Sequence, residues 1–186
     1  MKAIAAALPG RNSPPTRLAV QFAVIALAAG CMARFGTSAE TVTAVFFVSV
    51  LVLLSAVDIE RRILPNVILL PATAVLFVAQ VALFPDRAAE LAVAGIGAAL
   101  FLLVLTAVYP QGMGMGDVKL ALFLGVGLGS AVGTALLIGA LAASAVSVGL
   151  LAYYGSAARK MSIPFGPCLA LGAIYALFGG QAPFIG

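Results

Sequence analysis

The sequence predicts an all-α, polytopic membrane helix bundle of six or seven transmembrane helices, with a cytoplasmic N-terminus. Three observations carry this expectation. Of 186 residues, 63% are hydrophobic and 9% are charged, against roughly 25% charged in an ordinary soluble domain. Mean hydropathy is +1.20. The apolar residues fall in runs of near-spanning length, and Lys and Arg collect on alternate connections between them. A soluble chain of this size needs more polar surface, and a disordered chain has the opposite composition.

A hydrocarbon core about 30 Å thick takes about 20 apolar residues as helix. Seven spans are expected, at about 18–35, 41–57, 67–84, 91–109, 118–133, 134–154 and 166–180. The fifth is short and glycine-rich, and can join the sixth as a hairpin turning near Ser130–Thr134. If the first segment lies on the surface instead of crossing, six spans remain. Residues 1–17 read as a flexible basic cytoplasmic tail, and 18–186 as the membrane-embedded domain. The start is a poor signal peptide, because the run Ala3–Leu8 is too short and Pro9-Gly10 breaks it. The first span then serves as the uncleaved entry signal.

Orientation follows from the cations. With the N-terminus inside, the inner side holds Lys2, Arg11, Arg17, Arg61, Arg62, Lys119, Arg159 and Lys160, and the outer side Arg34 and Arg87. Eight against two favours that orientation. The net charge of +4 is this inward bias, and calls for no nucleic acid. Anionic lipid headgroups are its natural counterpart. Cys31 and Cys168, 137 positions apart, make no disulfide scaffold. They read as small buried apolar residues. Without histidine or Cys-x-x-C, the usual zinc ligands are missing.

Six carboxylates remain: Glu40, Asp58, Glu60, Asp86, Glu90 and Asp117. Glu40, Asp86 and Glu90 fall in outer loops and need no special role. Asp58 follows the apolar run Val42–Val57, and Asp117 precedes the run Val118–Val126. Each therefore sits at a helix end near the inner boundary. Two crossings separate them, so they return to one face although 59 positions apart. An acid at bilayer depth costs about 3 kcal/mol, and usually faces the bundle interior or a watery cavity. Two acids at matched depth can share one proton, one acting as base on water and the other polarising a carbonyl. This chemistry needs neither metal nor cofactor. Plainer roles stay open: Asp117 as N-cap of the fifth helix, Asp58 as an interfacial charge beside Arg61 and Arg62.

The stretches around these acids are distinctive. Residues 112–120 read Gly112-Met-Gly-Met-Gly-Asp-Val-Lys-Leu120, and residues 58–66 read Asp58-Ile-Glu-Arg-Arg-Ile-Leu-Pro-Asn66. Ile163-Pro164-Phe165-Gly166-Pro167 precedes the last apolar run. Together, and in this order, they resemble the type IV prepilin peptidases, membrane aspartic proteases with a Gly-x-Gly-Asp signature. The resemblance covers about residues 41–180. It implies Asp58 and Asp117 as catalytic dyad. It implies a pilin-like precursor as substrate, with a short basic leader ahead of a hydrophobic helix, cut at the inner face of the bacterial cytoplasmic membrane. Larger members carry a cytoplasmic domain with two Cys-x-x-C pairs and also N-methylate the new pilin N-terminus. Here only Gly36–Glu40 separate the first two spans. The chain looks like the short peptidase-core form of tight-adherence (Flp) pilus systems, and no methyl-donor site is legible.

The neighbours extend the site. Gly112, Gly114 and Gly116 are expected to let a substrate backbone lie close to Asp117. They form no phosphate cradle, since no strand precedes them and no Gly-Lys-Ser/Thr follows. Pro65 and Asn66 end the inner loop and start the third helix. Pro164 and Gly166 belong with the active-site loops by resemblance. Lys119 either steadies the dyad's charge or binds lipid phosphate. Arg61 and Arg62 read as orientation anchors, and Glu60 as a loop charge able to attract a basic leader. Gly125, Gly129 and Gly133, four apart, suggest a smooth helix face for close packing.

Two other functions compete. A proton-coupled small transporter or pilus assembly factor also uses buried acids, but predicts matched inverted repeats, and none is evident. An archaeal-type preflagellin peptidase shares the chemistry. Oligomeric state is not legible.

Overall fold

A computed structural model describes residues 14–61, 63–109, 114–155 and 164–179, with side chains from Leu18 onward. Among these residues there are seven α-helices and no strand: α1 Pro14–Phe35, α2 Ala39–Arg61, α3 Asn66–Leu83, α4 Ala88–Val108, α5 Met115–Leu128, α6 Val132–Tyr154 and α7 Gly166–Phe178. Short 3-10 turns at Pro85–Arg87 and Gly129–Ala131 link α3 to α4 and α5 to α6. The apolar stretches Leu18–Phe35, Ala39–Arg61, Asn66–Leu83, Pro85–Val108 and Met115–Tyr154 are each long enough to cross a membrane, and Gly166–Phe178 is a shorter apolar helix. The protein is an all-α polytopic bundle, as its composition requires. The first 13 residues of the expected tail lie outside the described residues, and α1 begins at Pro14.

The bundle is built around α5. Ten of its 14 residues are buried, so it is apolar on all sides and has no solvent face to mark in sequence. It packs against α4 most closely, then α3, with α7 also in contact. Phe123 of α5 stacks on Phe47 of α2, ring centroids 5.2 Å apart. Gly127 makes room for that ring, because a Cβ there would collide with Phe47. On the opposite side the α4 and α5 backbones touch at Gly95 and Gly125. A Cβ on Gly125 would stand 2.5 Å from the Ala94 carbonyl oxygen and from Gly95 Cα. A second close pair joins α6 to α7, where a Cβ on Gly139 would stand 3.0 Å from Leu169 Cα and one on Gly172 would meet the Ala135 carbonyl. Lipid offers no hydrophobic drive between apolar helices, so small residues at the contacts supply it through dispersion.

The stripe expected from Gly125, Gly129 and Gly133 does not form, because α5 ends between them. Gly129 has φ 55° and turns the chain. Gly133 lies on α6, with no neighbouring atom within 4 Å of where its Cβ would stand. Only Gly125 packs. The turn itself is tied down at both sides. Glu90 Oε1 accepts the Ser130 N–H at 3.1 Å, and Glu90 Oε2 pairs with Arg87 Nε at 3.2 Å. Buried Gln80 of α3 donates Nε2 to the Val126 and Gly127 carbonyls at 3.2 and 3.0 Å. These are among the last carbonyls of α5, which have no partner within the helix. Glu90 thus has a structural role its outer-loop position did not indicate.

Lengths now matter. At 1.5 Å per residue, α5 with 14 residues and α7 with 13 span about 21 and 20 Å, well short of the roughly 30 Å core. A short helix anchored at one membrane face has its other end below the opposite face.

Gly125→Ala is expected to destabilise the protein by about 1–3 kcal/mol through overpacking against α4. Gly149→Ala, inside α6 and with nothing within 4 Å of the new methyl, should not destabilise the protein and gains up to about 1 kcal/mol of helix propensity. Equilibrium unfolding in detergent micelles compares the two.

Candidate active site

The two short helices begin at the same place. Asp58 lies one turn before the C-terminal end of α2. A carboxylate is poorly placed there, since the carbonyl end of a helix carries the negative pole. The N-terminus of α7 compensates: the Gly166 N–H, at the first position of that helix, donates to Asp58 Oδ2 at 3.0 Å. Gly166 must be glycine for this approach, because a Cβ would stand 2.7 Å from Asp58 Oδ2. Asp117 occupies the third position of α5. Its Oδ2 accepts the N–H of Gly114, the N-cap residue, at 3.1 Å. Asp117 is therefore not itself the N-cap. It makes the reciprocal bond of a capping box from inside the first turn.

Both acids are buried, Asp58 at 6% and Asp117 at 9% relative exposure. They lie close enough for the charge of Asp58 to act on Asp117, and on the buried thiol of Cys168. Among the described residues each carboxylate accepts one hydrogen bond, at Oδ2 in both cases. Two buried acids within mutual electrostatic range ionise together only at a cost, which favours one shared proton.

Two contacts hold the stretches around these acids together. Buried Leu64 lies over Gly116, where a Cβ would stand 3.0 Å from Leu64 Cβ. Lys119 Nζ donates to Asn66 Oδ1 at 2.8 Å, joining the first turns of α5 and α3. The missing side chain of Gly116 is thus filled by Leu64. Gly114 is exposed, and the nearest atom to its absent Cβ is Asp117 Oδ2 at 3.7 Å. Pro65 is the N-cap residue of α3. Pro164 is half-buried, two residues before Gly166. Gly112 and Arg62 lie outside the described residues. Among the described residues no three His, Cys, Asp or Glu side chains cluster as metal ligands.

Sequence reasoning did not single out Leu64 as a packing residue, or Gln80 at all. A lone amide inside the run Val67–Leu83 was the available signal for Gln80, since such a group must find a partner in hydrocarbon. Leu64 gave no signal, being one apolar residue among many.

A family profile described as the type IV leader peptidase family matches residues 45–153, more than half of the chain. The chain belongs to the type IV leader peptidase family. Both acids fall within the matched stretch. Among curated relatives of this chain, the prepilin leader peptidase/N-methyltransferase of Bacillus subtilis (strain 168) is 34% identical over 171 residues, covering 88% of this chain and 66% of the relative. A protein of the same name from Burkholderia pseudomallei (strain 1026b) is 35% identical over 175 residues, covering 89% of this chain and 55% of the relative. The chain thus spans less than two thirds of the length of these relatives. No solved structure matches it.

Removing the Leu64 side chain should separate the two halves of the site more than cutting the polar link. Leu64→Ala is expected to cost about 2–4 kcal/mol, and Lys119→Met less than about 1 kcal/mol. Chemical denaturation in micelles, followed by circular dichroism, distinguishes them.

Proposed function

We propose that this leader peptidase family member is an aspartic endopeptidase that removes the basic leader from type IV pilin-like precursors. Asp58 and Asp117 are the catalytic pair. The observation that carries this reading is their meeting: two buried acids from distant stretches, each held by one backbone N–H at a helix N-terminus, within range of each other's charge. The name of the relatives supports the substrate class.

The chemistry follows from the shared proton. A water between the carboxylates gives its proton to the ionised one and attacks the scissile carbonyl carbon. The protonated partner donates to the carbonyl oxygen as the tetrahedral species forms. Collapse then breaks the C–N bond: the leaving amine takes a proton from the carboxyl group that accepted it from water, and a hydroxyl of the tetrahedral species returns its proton to the other carboxylate as the new carbonyl forms. The Oδ2 bonds keep each carboxylate in place, so little reorganisation is needed during the step. Gly114 leaves room beside Asp117 for the substrate backbone. Lys119 and Asn66 act by positioning the first turns of α5 and α3 against each other. Pro65, Pro164 and Gly166 complete the loops around the cut bond, and Gly112 is assigned to the site from its sequence motif alone. No cofactor is required for this step. Methylation of the new N-terminus is a separate activity, to which no residue here is assigned.

The positive-inside distribution of Lys and Arg supports a cytoplasmic N-terminus in a bacterial cytoplasmic membrane. The carboxylates then lie near the inner face, below its surface because α5 and α7 are short. A basic leader in the cytoplasm and an apolar remainder in lipid suit that depth.

Asp58→Asn and Asp117→Asn, made separately, should each slow precursor cleavage by about 10²–10⁴-fold. A gel shift of a purified prepilin, with mass spectrometry of the new N-terminus, measures this. Normal cleavage by either variant removes the dyad assignment.

A further inference from the structure

Among the described residues, an apolar trough of about 530 Å³ lies between α4 and α6. Its walls run from Gly97 to Leu105 and from Val132 to Ala140, each about 12 Å of helix. The Glu90–Ser130 bond places the starts of α4 and α6 at one end of the bundle, so the two walls run in the same direction. Leu169 and Phe165 also line it. Phe165 is bonded directly to Gly166, whose N–H is held by Asp58. One wall residue of the trough is therefore next in the chain to the residue that holds Asp58. None of its lining residues is charged.

We propose that this trough seats the apolar, membrane-embedded helix of the substrate that continues from the cleaved bond, a role that rests on the leader-peptidase reading above. An endopeptidase must hold chain on both sides of the cut. With the acids below the membrane face, one of those sides has to run through hydrocarbon. A two-turn piece of helix about 10 Å across fills roughly 850 Å³. The trough takes a little over half of that, which leaves the outer face of the guest to lipid.

The walls carry a second signature. Gly97 and Gly133 both line the trough, and neither has an atom within 4 Å of where its Cβ would stand. Gly95, Gly125, Gly139 and Gly172, by contrast, each meet a neighbouring helix. Small residues in membrane helices let a second backbone approach closely. Against lipid chains alone they gain nothing, and glycine weakens a helix relative to alanine. Two unfilled glycines facing one apolar trough thus fit a helical guest better than an acyl chain. A basic leader does not suit it, for want of any acidic or polar wall.

The test uses the whole protein and two probes in the same detergent: a full-length prepilin, and a peptide carrying only its leader and the residues around the cut. Filling the trough with Gly97→Leu and Gly133→Leu should lower the ratio of prepilin to peptide cleavage about tenfold, the scale of one good helix–helix contact. A ratio within twofold of the parent overturns the proposal. A second measurement leaves the trough glycines intact. A photoreactive residue replacing Leu137, in the Asp117→Asn protein, should cross-link uncut prepilin through its apolar segment, whereas one replacing Phe22 on α1 should not. Cross-links to lipid or to a second copy of this chain, in place of prepilin, also overturn it. Failure of the unsubstituted protein to cut either probe is a different result, and removes the peptidase reading itself.

Discussion

A carboxylate placed among apolar helices has to be given a donor, and here the donors are backbone N–H groups at the starts of two helices. Asp58 takes its bond from the first residue of α7, and Asp117 from the residue that precedes α5. The first turn of a helix has free N–H groups and a positive pole, so it suits an acid better than any neutral side chain in this sequence. Neither bond uses a cation as donor.

That arrangement depends on where α5 and α7 stop. Both are too short to cross a bilayer unaided, and both are fixed at other points along their length by glycine contacts. Gly125 against Gly95 sets α5 on α4, and Gly172 and Gly139 set α7 on α6. Gln80 and Glu90 hold the far end of α5 and its turn. With those ends fixed, the lengths of the two helices decide the depth at which the start of α7 meets Asp58 and the start of α5 holds Asp117. The glycines far from the acids and the carboxylates themselves are thus parts of one geometric constraint.

The same constraint separates α4 from α6. Each packs tightly on a different short helix, α4 on α5 and α6 on α7, and they touch each other little. The trough between them is a consequence of that pairing. Exposed Phe101, Leu105 and Leu137 along it would be a liability in water. In lipid they are neutral, and they become useful when a second helix arrives.

The sequence by itself determined the class and most of the helices. Apolar runs such as Val42–Val57 can only be membrane or core helices, because their hydration is too unfavourable and their length matches the bilayer. It also marked Asp58 and Asp117, since acids beside such runs are rare and expensive. Helix ends were less legible. The expected fifth span reached residue 133, whereas α5 stops at Leu128, because Gly129 adopts a left-handed φ that composition does not announce. What each glycine does was decided only by the tertiary structure. Gly125 touches a helix, Gly116 receives Leu64, Gly166 admits a carboxylate and Gly133 faces open space. A missing side chain has no pattern of its own: its meaning is the neighbour that fills the gap, and that neighbour is set by packing between segments distant in sequence.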